Sequence, residues 1–149
     1  MSFPTTETIF GIIEFENKTY DLLSQPLEDE QFKKIKKYKK ENNCGSSSAP
    51  WSVNKYKWKV KDSKLYLQEI YFKLCKDKSN HIKNIFTTTN LFASWVSVDV
   101  KLLVAKQDID KKLASREVII LNIENGVIFK ATHDIEEYNI PKLRTYINI

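Results

Sequence analysis

Cysteine, histidine, glycine and proline are all scarce in this chain of 149 residues, and each scarcity removes a class of protein. With only two histidines and two cysteines there is too little material for a zinc module or a dense disulfide framework. Cys44 and Cys75 lie far apart without CxxC spacing, so both are expected as reduced thiols. Three glycines and four prolines exclude collagenous and low-complexity chains. No apolar run approaches the ~18 residues that a membrane-spanning helix needs. The opening Met-Ser-Phe-Pro-Thr-Thr-Glu also lacks the basic flank and apolar stretch of a secretion signal. A cytoplasmic address with no membrane contact is the expectation. Asn17-Lys18-Thr19 matches a glycosylation sequon, but without a secretory signal it reads as a turn.

What is present suits one globular domain over residues 1–149, with 42% hydrophobic residues, enough for a single core. The net charge is only +5, yet it is unevenly spread. Lys33 to Lys64 holds eleven lysines against Glu41 and Asp62, which leaves the remainder of the chain acidic. A polyanion would therefore meet one patch rather than a basic coat.

Periodicity then sorts the segments. Ile9 to Phe15 and Thr19 to Leu23 read as a hairpin around Glu16-Asn17-Lys18. From about 28 to 41 the spacing turns helical: Phe32, Ile35 and Tyr38 recur every third residue, with six lysines between them. Acids open this helix and lysines close it, the order that suits the helix dipole. A narrow apolar stripe would rest on the body while the lysines face water. Residues 42–52 gather loop formers, the candidate mobile segment. Lys55-Tyr56-Lys57-Trp58-Lys59-Val60-Lys61 alternates strictly, so a strand there sends the four lysines to one face and the rings to the core. After Asp62-Ser63, Lys64 to Leu74 returns as a second long strand with a bulge expected near Glu69. Lys76 to Asn84 is expected as a loop or short helix. Leu91 to Ala105, rich in β-branched residues, is expected as one long bent strand, and Gln107 to Lys112 as a charged connection. Asn125-Gly126 between β-branched runs marks a tight hairpin. The stretch from Asp134, through Pro141, Leu143, Tyr146 and Ile147, is expected as a short closing helix or an edge strand.

The fold expected is mainly β: an antiparallel meander forming a half-open barrel or a two-layer sandwich, with one basic amphipathic helix.

Trp51, Tyr56-x-Trp58, Lys64-Leu65-Tyr66-Leu67, Ala93-x-Trp95, Glu117 and Asn125-Gly126-Val127 occur in an order that resembles a family of small uncharacterised bacterial proteins. The resemblance covers about two thirds of the chain. It implies a β-rich fold and no catalytic residues, and it places the chain in company that includes toxin–immunity loci.

No group of residues spells a reaction. His81 and His133 read as surface histidines without ligand spacing, and Ser46-Ser47-Ser48 lacks a nucleophile-elbow context. Asp108/Asp110 and Glu136/Glu137 lack the apolar surround that would raise a carboxyl pKa. The expectation is a non-enzymatic, cofactor-free and metal-free binding protein. Its candidate partner-binding residues are Lys33, Lys36, Lys37, Lys40, Lys55, Lys57 and Lys59. The leading partner is a protein, as for an immunity protein that covers a toxin's active site. Nucleic acid is the alternative, weakened because Tyr56 and Trp58 face away from the lysines, whereas stacking needs both on one face. The plain alternative is a solvated, edge-protecting surface. Pairing of two copies through an exposed edge strand is left open by the sequence.

Overall fold

The computed structural model describes residues 9–44, 54–110 and 113–139. Trp51, the Ser46–Ser48 run, most of the expected 42–52 loop and the chain beyond Asn139 lie outside the described residues.

The first hairpin pairs β1 (Ile12–Phe15) with β2 (Lys18–Leu22). The turn closes because Glu16 and Asn17 both take positive φ, a conformation asparagine tolerates well. The basic helix α1 follows at Asp29–Glu41. Gln31 Oε1 accepts from the Glu28 backbone N–H at 3.0 Å, satisfying a donor at the helix entry. The alternating lysine run becomes β3 (Asn54–Lys61) and its return β4 (Lys64–Phe72). Their register shifts where Lys57 faces Glu69 and Trp58 faces Leu67, so Gln68 is the extra residue of the expected bulge. A short helix α2 (Ile82–Phe86) comes next, then a two-residue strand β5 (Leu91–Phe92), and three long strands: β6 (Asp99–Asp110), β7 (Leu113–Glu124) and β8 (Val127–Asn139).

The sheet closes on itself in the order β3-β1-β2-β6-β7-β8-β4, with β4 returning to β3, making a seven-stranded barrel; β5 is added beside β4. The barrel is thus closed rather than half-open. The sheet is mainly antiparallel, and the meander is interrupted once: β1 runs parallel to β3, with Ile13 opposite Trp58. This pairing shuts the ring, because without it β1 and β3 would be the two free edges of the sheet. Gly11 (φ 144°) lets the chain pass against the Tyr56 carbonyl, where a β-carbon would collide. The other closure is narrow. Only Lys64 and Val127 pair directly between β4 and β8, flanked by Leu65 N–H to Gly126 O at 2.9 Å and Ile128 N–H to Ser63 O at 2.7 Å.

Alternation fills the interior as expected. Ile13, Tyr56, Trp58, Leu65, Leu67, Ile70, Phe72, Val100, Leu102 and Leu121 are all buried, while Lys55 and Lys61 are exposed. Fully burying an aliphatic or aromatic side chain stabilises by about 1.5–3 kcal/mol, so this row is the main source of stability.

Three further expectations are corrected. The stretch from Leu91 to Ala105 is broken, because Ala93 and Val96 fold in as turns: Gly126 N–H donates to Val96 O at 2.8 Å and Ala93 N–H to Leu65 O at 2.8 Å. The Gln107–Lys112 connection is largely strand, since β6 runs on to Asp110 and β7 begins at Leu113. The stretch from Asp134 takes the second of its two expected forms, a strand, continuing β8 as far as Asn139. Finally, Cys44 and Cys75 are joined in a disulfide, not reduced: the turn after α1 sets Cys44 against the loop leaving β4, with the two α-carbons 4.1 Å apart.

Candidate binding surface

α1 lies across the end of the barrel where β4 finishes. Its apolar stripe buries Ile35, and Tyr38 stacks on Phe72 with ring centroids 5.9 Å apart. Phe72 is paired with Asn54, so Lys55 emerges from the start of β3 close to the helix. On the far side of the stripe Lys33, Lys36, Lys37 and Lys40 are exposed, and none of the four has an ion-pair partner among the described residues. Helical spacing places 33, 36, 37 and 40 on one face, so these four charges form one patch.

The strand lysines behave differently. Lys57 lies 3.3 Å from Glu69 and Lys59 lies 3.3 Å from Glu14, each across to a neighbouring strand. Carboxylates already neutralise these two, and only Lys55 of the three named strand residues offers an unpaired charge. The seven lysines expected to act together thus divide into a free helical group and a compensated strand group. Sequence alternation gave no sign of this, because Glu14 comes from the distant β1 and the shifted register of the β3–β4 hairpin is what sets Glu69 opposite Lys57.

Lys39 breaks the expectation that all helix lysines face water. It is buried, its Nζ has no hydrogen-bond partner, and it sits 5.8 Å over the Phe72 ring. Burial pulls its pKa below the usual lysine value, because an ammonium loses hydration there. The face of Phe72 compensates partly, as cation–π contacts do.

His81 is also corrected, from surface to buried. Its Nε2 lies 3.0 Å from the Asp77 carbonyl, which only accepts, so Nε2 carries the proton. Nδ1 is left to accept from the Tyr38 hydroxyl at 2.7 Å, and Asn84 Nδ2 donates to that hydroxyl at 3.3 Å. Together with the disulfide this cluster ties α1 to α2 and to the end of β4. Its chemistry is that of a satisfied polar network holding the helix in place. His133 is exposed, as expected. The Glu117 carboxylate lies 4.0 Å from its Nε2.

Elsewhere the titrating groups serve structure. The Tyr56 phenol is pushed up to about 12 by burial, against a smaller opposing effect of the hydrogen bond from Asn54. Tyr71 is raised because its hydroxyl donates to Glu69, with burial adding to it. At Glu136 burial would raise the carboxyl, but hydrogen bonds from Lys101 at 2.5 Å and Arg116 at 2.6 Å outweigh it and hold the pKa low. An open polar depression of about 550 Å³ lies where β2 parts from β6, lined by Lys18, Tyr20, Asp21 and Leu103 among others. Among the described residues, no group of three or more His, Cys, Asp or Glu side chains gathers as metal ligands would, and no helix is long and apolar enough to cross a membrane.

Comparison with protein-family models, with curated proteins and with solved structures finds no match to this chain.

Proposed function

We propose that the chain acts by binding, and that α1 presents the binding surface to an acidic face of a protein partner. The observation that carries this reading is the uncompensated row Lys33, Lys36, Lys37 and Lys40 on a helix fixed to the barrel by Tyr38, His81 and the Cys44–Cys75 bridge. A rigid mount lowers the entropy lost on docking, and a charged face speeds encounter. Four ammonium groups left unpaired beside strand lysines that are paired argue for a use beyond solubility.

In its most concrete form the protein is an immunity protein that covers a toxin's active site, in keeping with the resemblance of its Trp and Asn-Gly order to small bacterial proteins. The cytoplasmic address expected from the sequence stands against the Cys44–Cys75 disulfide, because such bridges persist where conditions are oxidising.

The test uses immobilised poly-glutamate and immobilised duplex DNA in a salt gradient. Replacing Lys33, Lys36, Lys37 and Lys40 together by Glu should abolish retention on poly-glutamate, and replacing Lys57 and Lys59 should barely change it. Equal loss from both sets, or no retention by the native chain, overturns the reading. Stronger retention on DNA, lost with the helix variant, transfers the same surface to phosphate. The immunity form requires that cells exposed to a toxin domain encoded beside this chain survive with the native protein and die with the helix variant.

A further inference from the structure

β8 is the most exposed element of the sheet. Beyond the single pair Lys64–Val127, no described strand other than β7 accompanies it, so from Lys130 onward its outer backbone edge is open among the described residues. Phe129 is 66% exposed and Ile135 60%, large apolar groups on a strand that also carries Lys130, Asp134, Glu136 and Glu137. An open edge with bare apolar side chains is a template for another strand.

The edge also shows which backbone groups are offered. The Ile135 N–H is held by its own neighbour's carboxylate, Asp134 Oδ1, at 2.8 Å rather than by β7. It therefore points outward. The register between β7 and β8 is unbroken from Lys130 to Asn139, so Ala131 and His133 face outward too.

We propose that β8 pairs antiparallel with β8 of a second copy of this chain, about a two-fold axis at Thr132. This register sets Lys130 opposite Asp134 of the partner, and symmetry repeats the pair. Ala131 and His133 exchange the backbone hydrogen bonds, each with the other in the partner. A two-fold axis one residue further on, at His133, would set Lys130 against Glu136, a carboxylate already held by Lys101 and Arg116. The self-complementary charges thus select one register, and the pairing is isologous, as a two-fold dimer requires. The Asp134 carboxylate shields the edge in the free chain and turns to Lys130 of the partner in the dimer.

Sedimentation equilibrium of the full chain over a concentration series should show a monomer–dimer equilibrium. Lys130→Asp and Asp134→Lys each turn two attractions into repulsions, and each should weaken association roughly tenfold or more. The double variant should recover it. An equimolar mixture of the two single variants should form a heterodimer more tightly than either self-associates, since every charge pair is then opposite in sign. His133→Pro removes an outward N–H and should leave a folded monomer, its fold checked by circular dichroism. A native chain that stays monomeric, or a dimer indifferent to the single reversals, overturns the proposal.

Discussion

The two ends of the sheet differ in what holds them. The β3–β4 hairpin has one face sealed in the barrel, with Tyr56, Trp58, Leu65, Leu67, Ile70 and Phe72 all buried. The β7–β8 hairpin begins the same way, with Leu121 and Ile123 inside, but along β8 every residue from Phe129 to Ile135 is exposed. Both are long antiparallel pairs built from β-branched and aromatic residues. Regular pairing alone therefore does not decide burial; what decides it is whether a second layer faces the strand. The first hairpin has the barrel wall opposite it, and the outer part of the second is held by its ladder and by ion pairs such as Glu136 with Lys101 and Arg116.

The sharpest way to break this contrast is by truncation. Trp58→Ala should cost about 3–5 kcal/mol, the range for emptying a well-packed aromatic site. Ile135→Ala, measured at a dilution where the chain is monomeric, should change stability by no more than about 0.5 kcal/mol. Urea unfolding midpoints compare the two, and similar losses would contradict the division.

A smaller effect tests the mounting of the helix. Replacing Cys44 and Cys75 by Ser should cost about 3–4 kcal/mol through the loop of 31 residues that the bridge closes. In hydrogen exchange the loss of protection should be greatest in α1 and least in β7.

The smallest effect concerns Glu136. Its folded-state pKa is below the ordinary carboxylate value near 4.5, so its stabilisation is present above that pH and disappears as pH falls through the lowered value. The groups are partly exposed, so the contribution should be below about 1 kcal/mol. Glu136→Gln should flatten the acid limb of the stability profile, and an unchanged limb would show that the pair contributes nothing.

The parts legible in the sequence were those fixed by local rhythm. Alternation from Lys55 to Lys61 placed the rings inside, helical spacing located α1, Asn125-Gly126 located the last turn, and weakened alternation near Glu69 flagged the bulge at Gln68. The features missed depend on partners distant in the chain. The parallel pairing of β1 with β3 joins segments more than forty residues apart, and neither carries a mark of its mate. Cys44 and Cys75 meet only because the turn after α1 sets Cys44 against the loop after β4. Leu91 to Ala105 has the composition of one strand, yet it is interrupted where Gly126 docks. The division of the lysines was hidden because Glu14 reaches Lys59 from the distant β1 and the shifted register of the β3–β4 hairpin sets Glu69 opposite Lys57.

Gly126 takes φ 81° in the last turn, and a β-carbon on it would meet the Ala93 carbonyl at 2.6 Å; its own carbonyl receives the Leu65 N–H where β4 meets β8. The residue that lets the terminal hairpin double back is thus also the clasp of the ring. A hairpin of this kind forms in about 1–10 μs in isolation. Of the two junctions on which the barrel depends, the parallel one spreads over three residue pairs, whereas this one turns on a single glycine seated in the last turn.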